Sequence, residues 1–175
     1  MTYGGQAEFP VPLRADLERI CASPELVTAC RAHELSPGGK LLDAYVELQL
    51  RHRGYETTRD VHVARGSRFD VDVLVDETDW SAAIAIEGGQ AARIDLDLLR
   101  FIALAHERVA SSALYGVLLV SDKVLLRSIT GASGERAFDY ARRLRPLFLV
   151  GAPPLADLLV LEFDATPLPD TTIAT

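Results

Sequence analysis

The chain has 175 residues, 49% of them hydrophobic and 25% charged, which is ordinary globular composition and enough length for one domain with a real core. No apolar run approaches the roughly 18–20 residues of a membrane helix, and the opening MTYGGQAEFPVPLRADLERI lacks the basic start and apolar centre of a signal peptide, so the sequence predicts a soluble, cytoplasmic protein with no membrane partner. A net charge of −7 argues against a general nucleic-acid binder.

In chain order, residues 1–10 read as loose. PLRADLERICAS and PELVTACRAHEL read as two short helices, each opening with Pro in its first turn. Together, residues 1–35 form a helical extension packed on a core of residues 36–165. Ser36-Pro37 is the expected start of the next helix, which carries Leu41, Tyr45 and Leu48 at helical spacing and ends at Gly54. Asp43 and Glu47, four apart, share one of its faces. Strands are expected at about 55–65, 69–75 and 82–87, the last two joined as a hairpin by DETDWS. IDLDLLRFIALAHERVA is an amphipathic helix, and YGVLLVS at 115–121 is a buried strand parallel to 82–87. GERAFDYARRLRPLF reads as a helix, DLLVLEFD as a late strand and 166–175 as a flexible tail. This order predicts an α/β fold with a mixed sheet flanked by helices.

Cys21 and Cys30 cannot supply a zinc quartet and read as small core residues. The histidines show no metal spacing, SPGGK lacks the full Walker spacing, and Trp80 reads as a turn residue packing on its neighbours. Arginine is unevenly spread. Residues 49–68 hold Arg51, Arg53, Arg59, Arg65 and Arg68 against Glu56 and Asp60, and residues 136–145 hold Arg136, Arg142, Arg143 and Arg145 against Asp139. Guanidinium groups bind phosphate in a bidentate fashion, so such clusters can track a nucleic-acid backbone; solvated surface faces are the competing explanation.

The informative stretch is FDVDVLVDETDWSAAIAIEGGQ, residues 69–90. Strand alternation puts Asp70 and Asp72 on one face and Phe69, Val71, Val73 and Val75 on the other. The hairpin then returns Glu87 toward Asp70 and Asp72. Converging carboxylates repel unless a cation fills the gap or one keeps its proton. A hard cation such as Mg²⁺, with Mn²⁺ as a substitute, takes oxygen ligands and commonly needs one or two carboxylates plus phosphate oxygens.

LLDAYVELQLRHRGYE, RFDVDVLVD and AIAIE resemble the first helix and the two catalytic strands of the PD-(D/E)XK nuclease superfamily, and DLDLLRF resembles the opening of the following helix in restriction endonucleases. The resemblance covers roughly residues 36–121. It implies a restriction-endonuclease-like fold and Mg²⁺-dependent hydrolysis of DNA phosphodiester bonds, in a restriction, defence or repair role. By the same resemblance Glu87 is a metal ligand, Asp72 (with Asp70 as the alternative) is its partner, and Glu47 is the helix acid that assists. The motif's lysine position is Gly89 here. Some similar restriction enzymes carry Gln or Glu there, and Gln90 is one residue late; a bulge at Gly88-Gly89 would re-aim it. Arg93 or Arg100 on the next helix are the other substitutes. Arg51, Arg53, Arg65, Arg68 and Arg93 are the expected DNA contacts, and a homodimer would match a palindromic site. The competing expectation is a binding or scaffold module that keeps this fold without its chemistry and takes a protein partner.

Overall fold

The computed structural model describes residues 8–26, 40–64, 66, 68–87, 93–108, 113–122, 125–126, 135–136, 138–142 and 155–164. Two layers of helix enclose a five-stranded mixed sheet. The elements are α1 (Val11–Cys21), α2 (Lys40–His52), β1 (Thr57–His62), β2 (Asp70–Asp76), β3 (Trp80–Glu87), α3 (Ile94–Glu107), β4 (Ala113–Ser121), β5 (Leu125–Leu126), β6 (Glu135–Arg136) and β7 (Leu155–Phe163). The main sheet runs β1-β2-β3-β4-β7. β1, β2 and β3 form an antiparallel meander, while β4 is parallel to β3 and β7 is parallel to β4. The α/β class, the β2–β3 hairpin and the parallel β3–β4 pair therefore stand as expected. Among the described residues, no helix is long and apolar enough to cross a membrane.

The sheet separates two apolar cores. On one side Leu13, Leu17 and Ile20 of α1 and Leu42, Val46 and Leu50 of α2 pack on Val73, Val75, Ile84, Val117 and Leu119. Leu42, Val46 and Leu50 are the buried apolar residues of α2, Tyr45 packs part-buried against the same core, and Leu48 is 48% exposed. Asp16 fixes α1 to the end of α2 by accepting from Tyr55 Oη at 3.0 Å and pairing with Arg53 Nε at 3.5 Å. Cys21 is buried here, and its burial pushes the thiol up to about 12. Cys30 and Ser36-Pro37 lie outside the described residues.

On the other side Ile94, Leu98, Phe101, Leu104 and Ala105 of α3 cover Leu74, Ala83, Ala85, Leu118 and Leu158. Phe101 sits over Gly116 of β4: a Cβ there would lie 2.9 Å from both Phe101 Cδ2 and Leu158 Cδ1. Asp76 closes the β2–β3 turn, accepting from Ser81 Oγ at 2.7 Å and from Arg108 Nη1 at 2.6 Å, which also anchors the end of α3. Trp80 is half-buried in edge-to-face contact with Tyr55 and Tyr115. The expected helix GERAFDYARRLRPLF is different at its start: Glu135–Arg136 pair with Leu125–Leu126 as a separate antiparallel ribbon, and helix is described only over 138–142.

Gly116→Ala is expected to lower stability by about 1–3 kcal/mol, the usual cost of forcing atoms into a filled core, because the aromatic ring of Phe101 cannot simply swing away. A urea unfolding curve with a reduced midpoint and unchanged slope would establish it; an unchanged midpoint would show that α3 yields freely.

Candidate metal centre

The geometry begins with an interruption in the sheet. β1 and β2 pair at Arg59–Val73 and at Val61–Val71, but the intervening Asp60–Asp72 pair is missing from the ladder. Asp60 has φ +51°, a left-handed conformation that aspartate tolerates better than most residues. Alternation fails there in both strands. Arg59 reaches Glu47 on α2, whereas Val61 packs in the α3 core. Likewise Val73 belongs to the α1–α2 core and Val71 to the α3 core. The expected common face for Val71 and Val73 is therefore wrong, and the twist at Asp60–Asp72 is the reason.

β2 also leaves β3 at this point. Their ladder ends at Val73–Ile84, and Asp72 Oδ2 then accepts from Ile86 N at 2.7 Å, so the side chain replaces a strand partner. Glu87 ends β3 on the α3 side and is only 5% exposed. Facing it is Asp97, fully buried in the first turn of α3. Asp97 Oδ1 accepts from Arg100 Nη1 at 2.7 Å. Its Oδ2 has no donor when both acids are ionised; a proton on Glu87 supplies one, and the two carboxyls then share it.

Burial dominates the electrostatics. It pushes Asp72 up to about 7, against the lowering effect of the Ile86 N–H and Arg100, with the charges of Asp43 and Asp97 adding to the rise. It also pushes Glu87 up to about 8, reinforced by Asp97 and Asp72 and opposed by Arg93. Asp97 is raised by burial too, held back by Glu87 and the two arginines. Asp43 acts from α2 and Asp97 from α3, so Asp72 feels both helical layers.

The expected residues divide clearly. Asp72 lies near enough to Glu87 for its charge to raise it. The carboxylate of Asp70 instead faces His62 of β1. Glu47 is buried, but its two oxygens pair with Arg51 at 2.8 Å and Arg59 at 2.9 Å, and the α2 acid whose charge reaches Asp72 is Asp43, one turn earlier. Arg51 also holds Thr57, and Arg53 holds Asp16 and Gln49. Arg68 is exposed and Arg93 stands at the mouth of α3 near Glu87. Gln90, Gly88, Gly89 and Arg65 lie outside the described residues. Asp97 was missed, although its place in the apolar series Ile94-Leu98-Phe101 was a visible signal for a buried acid.

The donor set is entirely carboxylate oxygen, which suits Mg²⁺ or Mn²⁺. Among the described residues no group of three or more His, Cys, Asp and Glu side chains is arranged to hold a metal. Two carboxylates without a closed cage would suit a cation that keeps water and phosphate in its remaining positions. No family model matches the chain, and neither curated proteins nor solved structures gave a match.

The site carries a pH signature. Asp72 and Glu87 have ordinary values of 3.8 and 4.5 when unfolded and about 7 and about 8 when folded. Between those limits the folded chain holds more protons, so stability falls as pH rises from about 4 and levels off above about 8. In metal-free buffer the melting temperature should drop between pH 5 and pH 8. Asp72→Asn, which can still accept from the Ile86 N–H, should flatten that drop, gaining on the order of 2–4 °C at pH 8 per kcal/mol relieved. A profile that the substitution leaves unchanged would show that Asp72 is not a strained buried acid.

Proposed function

We propose that this chain is a divalent-metal-dependent phosphodiester hydrolase acting on DNA, with a restriction-endonuclease-like core formed by α2, β1, β2, β3, α3 and β4. The observation that carries the reading is the approach of half-buried Asp72 to buried Glu87 at a break in the sheet, where the charge of Asp72 adds to the rise of Glu87. A stable fold gains nothing from such repulsion, and a cation would relieve it. The order helix, antiparallel meander, helix and parallel strand adds support, as the nuclease resemblance implies that arrangement.

Mg²⁺ would be held by Asp72 and Glu87 and, when bound, would polarise the phosphoryl group and lower the pKa of attacking water. The chain's own residues set the conditions. The Ile86 N–H fixes one oxygen of Asp72 and leaves the other for a ligand. Asp97 shares the proton of Glu87 while the site lacks a cation. Arg68 and Arg93 are available for phosphates of the duplex, whose binding would weaken with salt. A two-fold dimer would suit a palindromic duplex.

A second reading, a nuclease-fold module that binds a protein partner without chemistry, is favoured by one observation: Asp72 already has a structural task on Ile86. Cleavage decides between them. Purified protein should cut DNA in Mg²⁺ or Mn²⁺ but not in EDTA, and Glu87→Gln should reduce cutting to background while the fold persists. Intact DNA and RNA under all metals, with no Mn²⁺ bound in calorimetry, would favour the module.

A further inference from the structure

α3 is apolar on more than the side it buries. Ile94, Leu98, Phe101, Leu104 and Ala105 enter the core over the sheet, whereas Leu96, Leu99 and Ile102 belong to neither core. Leu99 is 61% exposed, and Leu96 and Ile102 are half-buried. Successive residues of a helix are turned by about 100°. Asp95, Leu99, Ile102 and His106 therefore form one stripe on the face away from the sheet. Its ends are charged or polar and its middle is apolar. Asp95 Oδ1 accepts from Tyr140 Oη at 3.0 Å, which steadies the carboxylate and leaves Oδ2 for another donor. His106 is exposed and has no hydrogen-bond partner among the described residues. Glu107 lies off the stripe, lining a groove with Val61, Val63 and Leu104.

We propose that the outer stripe of α3 is a self-association surface, and that its partner is the same stripe of a second copy, packed antiparallel about a two-fold axis. The charge pattern carries the assignment, because the stripe is its own complement when reversed. With the axis at the midpoint between Arg100 and Phe101, Asp95 meets His106 of the partner subunit and His106 meets Asp95 of the partner subunit. Leu99 and Ile102 meet each other's counterparts between those ends. A two-fold contact requires this reciprocity. A parallel pair would set acid against acid and imidazole against imidazole, and would align the helix dipoles unfavourably. Alternating steps of four and three residues are those of helices that pack along their length. The Asp97–Arg100 pair lies off the stripe, so the contact leaves it intact. A homodimer matched to a palindromic duplex specifies no surface of its own; this contact forms without metal or DNA and stands apart from the hydrolase reading.

Sedimentation equilibrium of the full chain, with neither metal nor DNA, reads the association. Wild type should dimerise. Leu99→Glu, Asp95→Lys and His106→Glu should each weaken the dimer about tenfold or more, with circular dichroism unchanged because all three positions are exposed. Asp95→Lys and His106→Glu mixed in equal amounts should associate about tenfold more tightly than either alone, since both ends of the mixed interface then join opposite charges. Energy transfer between differently labelled variants identifies that dimer as the mixed one. A wild type that stays monomeric overturns the proposal, as does a dimer that none of the three substitutions weakens. A dimer weakened by Leu99→Glu, but with charge variants that mixing does not rescue, also overturns it, because the antiparallel register is then wrong.

Discussion

β2 and β3 pair as far as Val73 and Ile84, and beyond that point Asp72 reaches over with its side chain to take the Ile86 N–H. This bond substitutes a carboxylate for a backbone carbonyl. It lets two strands part without orphaning an amide, and unpaired buried amides are costly. The gap it opens is where Glu87 ends β3 and where α3 begins to lie against the sheet. On the far side of β2 the missing Asp60–Asp72 pair and the left-handed Asp60 absorb the same twist. A regular ladder through this region would have turned Asp72 outward or buried it against hydrocarbon.

The molecule treats its acids in two contrasting ways. Glu47 is buried but answered by two arginines, one on each oxygen. Such an acid is a structural joint between α2 and β1. Glu87 and Asp97 are buried and Asp72 is half-buried beside them, and desolvation raises all three against the pull of Arg93 and Arg100. Arg100 is committed to Asp97, and Arg93 acts from the end of the helix. Natural structures usually neutralise buried charge, so the second pattern is the one that the proposed cation would complete.

Much of this was legible in the sequence. Strand and helix periods located the meander and the amphipathic α3; the hairpin logic returned Glu87 toward both Asp70 and Asp72, and of the two it is Asp72 whose charge reaches Glu87, Asp70 facing His62. What failed depends on tertiary choices. Asp70 and Asp72 look equivalent by alternation, but a twist in the sheet separates them, and a single residue with positive φ leaves no mark on hydrophobic pattern. The α2 stripe was ambiguous because both faces carry apolar residues at the right spacing. Glu47 looked like a site acid, since spacing shows that it shares a face with Asp43 but not that Arg51 and Arg59 converge on it. Asp97 is an acid within an apolar stripe, but an aspartate in a first helical turn also has an ordinary explanation in the helix dipole, so its position alone does not single it out.

Phe101 follows Arg100 directly and comes four residues after Asp97. The ring that rests over the bare α-carbon of Gly116 is thus on the same rigid rod as the two polar groups of the site. A helix advances about 1.5 Å and turns about 100° per residue, so the rod has little freedom to slide once one side chain is keyed into the sheet. Gly116 then works as an alignment notch: its lack of a side chain sets how closely the rod approaches and, through it, where Arg100 and Asp97 stand. A side chain added at this mid-sheet position would therefore shift Arg100 and Asp97 through Phe101.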